Sequence, residues 1–78
     1  MNTLEQIQNI LQKVFYDNSL RISEQTSAND IPAWDSLTHM TVVNEIEAHF
    51  KIQFTFDEAS SFNTIRDVVH CVDRKINR

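Results

Sequence analysis

No glycine occurs anywhere in the 78 residues, against a usual share of about 7%. Tight hairpins and phosphate-cradling loops both depend on backbone with positive φ, which glycine adopts without a steric cost. A chain without it has few routes to short paired strands or to a glycine-rich nucleotide loop, and helices remain. The apolar residues agree. Leu4, Ile7, Ile10, Leu11, Val14 and Phe15 recur at helical spacing; so do Val42, Val43, Ile46 and Phe50, and again Ile65, Val68, Val69, Val72 and Ile76.

The boundaries follow from polar residues. Thr3 with Gln6 has the spacing of a capping box, which starts a first helix running from about Leu4 to Tyr16. Asp17-Asn18-Ser19 ends it, because short polar side chains compete for backbone hydrogen bonds. The mostly polar stretch from Asp17 to Trp34 is expected to be a long loop pinned by Leu20, Ile22, Ile31 and Trp34, with Pro32 fixing its exit. Trp34 is expected to lie over one end of the bundle with its N–H on a carbonyl. Asp35 is a strong N-cap, so a second helix begins at Ser36.

"KIQFTF" alternates like a strand but has no partner; it reads as a connector whose aromatic residues, Phe54 and Phe56, enter the core. "DEASSF" predicts one short helical turn ending on Phe62, with Asp57 and Glu58 at its positive end. Thr64 and Asp67 announce the last helix, and Arg74, Lys75 and Arg78 suit its C-terminal end. Cys71 lies off the apolar stripe of that helix. The expected fold is all-α, a small four-helix bundle of three main helices and one short helix with a long first loop, in a single domain over residues 1–78.

Charge narrows the function. Eleven acids against seven bases give a net charge of −4, which repels phosphate backbones and anionic surfaces, so nucleic acid is not an expected partner. No apolar run reaches the roughly 20 residues of a membrane span, and "MNTLEQIQNI" has neither a basic start nor an apolar signal core. One cysteine agrees with a reducing compartment. A cytoplasmic monomer is expected.

One leucine breaks the pattern. With each residue advancing about 100°, Leu37 projects roughly 160° from the centre of the second helix's apolar stripe. Thr41, Asn44 and Ala48 share that outward face, with Met40, Glu45 and Glu47 on its flanks. An apolar side chain beside a serine at a helix start suits a visiting partner better than a core.

The residues "DSL" at the start of the second helix, with "VVNEIEAHF", "FDEASSFNTIRDVV" and the overall length, resemble the acyl carrier protein family over nearly the whole chain. The resemblance implies that Ser36 receives a 4′-phosphopantetheine arm from coenzyme A, through a phosphopantetheinyl transferase that uses magnesium. The arm's thiol then carries acyl or aminoacyl thioesters. It also implies that the second helix docks acyl-loading and acyl-accepting enzymes, with Asp35, Leu37, Met40, Thr41, Asn44, Glu45 and Glu47 on the docking face. Carriers of fatty-acid synthesis often have glycine ahead of the motif and a denser run of acids. Here Trp34 precedes Asp35, and His39, Asn44, His49 and Lys51 dilute the charge, which points to a discrete carrier of a specialised pathway.

Two other classes compete. A helical adaptor would use the Leu37-Met40-Thr41 face without modification of Ser36. A catalytic serine or cysteine would need an oxyanion hole and a base, yet Asp35 is expected to be spent on capping. His39, His49, His70 and Cys71 match no compact zinc spacing, so neither a catalytic residue nor a metal ligand is assigned.

Overall fold

A computed structural model describes residues 2–77. Four helices are formed, and no strand occurs among these residues: α1 (Thr3–Val14), α2 (Ser36–Phe50), α3 (Phe56–Ser60) and α4 (Ile65–Asn77). Arg78, assigned above to the end of the last helix, lies outside the described residues.

Each main helix buries one stripe. Ile7, Ile10 and Leu11 of α1 meet Val42 and Ile46 of α2, and Ile65, Val68, Val69 and Val72 of α4 complete the core. The α1 helix packs on both α2 and α4. Phe50 is only half-buried, set edge-on against His49 with ring centroids 4.8 Å apart. Cys71, expected off the stripe, is buried; removal from water, and next the Glu58 carboxylate, push its thiol pKa up.

The first helix is capped one residue earlier than expected and starts at Thr3 itself. Asn2 is the N-cap: its side-chain oxygen accepts from the Glu5 N–H at 2.8 Å, and its own N–H donates to the Glu5 carboxylate at 3.2 Å. Thr3 is free for a longer-range role, donating its hydroxyl to Asp73 of α4.

The loop between α1 and α2 is pinned along its length. Gln8 accepts the Ile22 N–H at 2.9 Å, and the Gln12 amide donates to the Leu20 carbonyl at 2.8 Å. Farther on, the Ile65 and Arg66 N–H groups donate to the carbonyls of Thr26 and Glu24. These bonds use amides at the start of α4 that a helix leaves without internal partners. A short 3₁₀ turn, Ala28–Asp30, and the buried Ile31 then aim the chain at α2.

Without glycine, left-handed positions fall to other residues. Tyr16 (φ 54°) follows α1, and Lys51 (φ 58°) ends α2. A left-handed L-residue costs roughly 1 to 2 kcal/mol, while glycine there adds unfolded-chain freedom worth about 0.4 to 1 kcal/mol. Lys51→Gly is therefore expected to stabilise the fold by about 0.5 to 1 kcal/mol in urea unfolding. A loss of stability would show that the lysine side chain contributes more than its backbone strain removes.

Candidate functional site

The site is built at the point where the loop becomes α2. Asp35 caps the helix through a complete capping box: its carboxylate accepts the Thr38 N–H at 2.9 Å, and its N–H donates to the Thr38 hydroxyl at 2.7 Å. These bonds, the backbone one first, hold the Asp35 carboxyl below the ordinary carboxylate value. The cap expected from sequence is in place, and its acid stays ionised at neutral pH.

Ser36 is the first residue of α2 and is exposed. Its hydroxyl has no hydrogen-bond partner among the described residues, and in this it stands apart. The other serine hydroxyls are each within hydrogen-bond reach of a neighbour: Ser19 with Asp17, Ser23 with Thr26, Ser27 with Asp30, Ser60 with Asp57 and Ser61 with Glu58. A free hydroxyl at the positive end of a 15-residue helix can become a phosphate ester with the helix dipole favouring the new charge.

Beside Ser36 runs an open groove of about 690 Å³. Ser36 and Asp35 stand at its rim, Met40 and Val43 of α2 form one wall, and Phe56 and Ala59 of α3 form the other. Most of its lining is carbon, so it suits a flexible apolar chain better than a charged substrate.

Trp34 and His39 sit at the inner side of the groove. The Trp34 ring packs between Phe15, 5.8 Å between centroids, and His39, 6.1 Å. Its indole N–H donates to His39 Nδ1 at 3.2 Å and not to a carbonyl. His39 Nε2 lies 2.9 Å from the Ala59 carbonyl, which can only accept. The imidazole is therefore the neutral Nε2–H tautomer. Both nitrogens are engaged, so His39 forms no relay with Asp35 and Ser36. Among the described residues no group of three or more histidine, cysteine, aspartate or glutamate side chains could hold a metal ion.

The outward face of α2 carries Leu37, 82% exposed, and Met40, 55% exposed, with Thr41 and Asn44 also exposed. The two acids are less free. Glu45 lies 3.8 Å from the Lys13 ammonium, and a Glu47 oxygen accepts the Phe54 N–H at 2.8 Å. Glu47 thus holds the connector that forms the end of the groove.

Phe56, expected in the core, is 84% exposed. The cause is local. Thr55 caps α3, accepting from the Glu58 N–H, so Phe56 becomes a first-turn helical residue and the alternation of Ile52 and Phe54 stops before it. Thr55 and Glu58 have capping-box spacing, a signal in the sequence that would have placed Phe56 outside. Phe56 belongs to the site's rim.

A family model described as a phosphopantetheine attachment site matches residues 5–72. The fold also matches the solution structure of a holo acyl carrier protein from Geobacter metallireducens. That match has 41% identity and a TM-score of 0.92, and covers 100% of this chain and 90% of the other. No curated protein sequence matches significantly.

Proposed function

The chain belongs to the acyl carrier protein family, a carrier of a covalent 4′-phosphopantetheine and not a catalyst, and from that premise we propose that Ser36 is the residue esterified. The observation that supports it is the exposed, unengaged hydroxyl at the first position of α2, on the rim of an apolar groove. When bound, the group supplies a thiol that holds cargo as a thioester. The chain's own part is to present the serine oxygen to the transferase. There the oxygen gains a bond to phosphorus as a pyrophosphate P–O bond of coenzyme A breaks and the nucleotide half leaves; the hydroxyl proton passes to the transferase.

The test is direct. Incubation with coenzyme A, magnesium and a broad-specificity phosphopantetheinyl transferase should add the mass of one phosphopantetheine. Persistent failure with several active transferases would overturn the assignment of Ser36.

The enzymes that modify and load the arm must cover the residues flanking Ser36. The docking face we infer is Leu37, Met40, Thr41 and Asn44, with Asp35, Glu45 and Glu47 at its edges. Since Glu45 and Glu47 already have partners, this face offers more apolar and neutral polar surface than free carboxylate. That supports a carrier for a specialised pathway of acyl or aminoacyl transfer; we further propose that it acts in the cytoplasm and as a monomer. No described helix is long and apolar enough to cross a membrane.

Leu37→Asp is expected to lower the rate of transfer to partner enzymes at least about tenfold, as for a central apolar contact. Thermal stability should hardly change: Leu37 is outside the core, and an acid in the first turn of a helix is favoured by the dipole. Initial rates and melting midpoints measured on the same preparations separate the two. Equal losses in both would show that Leu37 supports the fold.

A further inference from the structure

One hydrogen bond in the fold cannot coexist with an added proton. The neutral His39 ring accepts the Trp34 indole N–H at Nδ1 and donates from Nε2 to the Ala59 carbonyl. An imidazolium carries N–H groups on both nitrogens and accepts at neither. A second proton on His39 can settle only on Nδ1, where it would face the indole N–H, itself a donor, with the two nitrogens 3.2 Å apart. The ring centroids are 6.1 Å apart, at the outer limit of cation–π attraction, so little offsets the conflict of donors. The Ala59 bond survives protonation and the Trp34 bond does not.

We propose that His39 is a pH-sensitive clip: neutral, it ties the end of the first loop to α2 and α3; protonated, it releases Trp34 and stays on Ala59. The clip holds the segment just ahead of Ser36 and operates whether or not that serine is modified. What opens is the loop end, not the helix start, because the Asp35–Thr38 capping box is bonded independently of the indole.

The trigger is a single group. The charged residues lining the two spaces that flank the His39 ring are Asp35 and Glu47; the first is engaged with Thr38, the second with the Phe54 N–H. On α3, Glu58 is bound to Lys75 and Asp57 lines neither space. From α4 the ring meets Ile65 and Val68, and from the first loop Thr26 and Ala28, none of which titrates. No second imidazole faces it: His49 reaches Gln6 of α1, and His70 lines neither space.

Trp34 is the chain's single tryptophan, so its fluorescence reads the clip without a label. Between about pH 8 and pH 5, the range in which histidine changes charge, wild-type emission should move to longer wavelength and acrylamide quenching should increase along a one-proton curve. Helical circular dichroism should stay constant. His39→Gln keeps a donor for Ala59 but has no titrating ring, and should lose the transition altogether; His49→Gln and His70→Gln should keep it.

A second measurement needs no variant and decides alone if His39→Gln does not fold. In wild-type protein the His39 ring C–H and Trp34 indole N–H resonances should titrate with one midpoint. An indole resonance that stays fixed while His39 gains its proton, or a His39 ring still neutral at the acid end of the range, would overturn the clip. So would a fluorescence transition that persists in folded His39→Gln, one that follows His49 or His70 instead, or loss of helicity in the same step.

Discussion

Replacing Ser36 by alanine is expected to abolish phosphopantetheine attachment completely while leaving the bundle folded. The loss is total because the reaction needs an oxygen nucleophile at that position, and the other serine hydroxyls are engaged with neighbours in turns or on α3. Folding should survive because Ser36 is exposed and the cap belongs to Asp35 and Thr38, not to the serine. Alanine is also the better helix former, so stability should stay within about 0.5 kcal/mol of the wild type. Intact mass after transferase treatment reads the first effect, and helical circular dichroism with a thermal scan reads the second. An alanine variant that still gains the arm would place attachment on a different side chain. A variant that failed to melt cooperatively would make the lost attachment uninformative, and Ser36→Thr, which keeps an oxygen, would then have to restore the fold.

The sequence was most legible where function and local structure coincide. Asp35, Ser36 and Thr38 lie within four residues, so cap, helix start and exposed hydroxyl could be placed without knowing how the helices pack. Leu37 was legible for the same reason: its angle to the apolar stripe depends only on helical geometry. The groove was not, since its walls come from α2 and α3, joined only through the folded connector. Local competition accounts for two further differences. Both Asn2 and Thr3 are capable caps; Asn2 takes that role, and the Thr3 hydroxyl bonds to Asp73, a pairing across 70 positions that no short-range rule contains. Phe56 looked internal because the alternation of apolar residues was continued one step into a segment that Thr55 had already turned into helix. In the sequence His39 only dilutes the charge of α2 and fits no zinc spacing; the positions of Trp34 and Ala59 alone reveal that its two nitrogens join separate segments.

The largest effect on stability is expected from Ile46→Ala. Ile46 lies ten residues after Ser36 on the same helix, but on the buried face, with 1% of its surface exposed. It belongs to the core cluster formed by residues of α1, α2 and α4, so truncation removes buried methyl groups and leaves a cavity that three helices border. Such substitutions cost about 2 to 5 kcal/mol. A domain of this length has a total stability of about 4 to 12 kcal/mol, so the change takes a large share of it and should lower the melting midpoint by at least about 10 °C. The functional consequence differs in kind from that of Leu37→Asp. Ile46 touches no partner, so attachment to Ser36 should proceed normally at temperatures where the variant is folded and fall in step with its unfolded fraction above them. Transfer that collapses well below the melting transition would mean that Ile46 also governs the shape of the docking face. A nearly unchanged melting midpoint would mean that α2 is not seated on α1 through this residue, and the position of Ser36 at the groove would lose its structural basis.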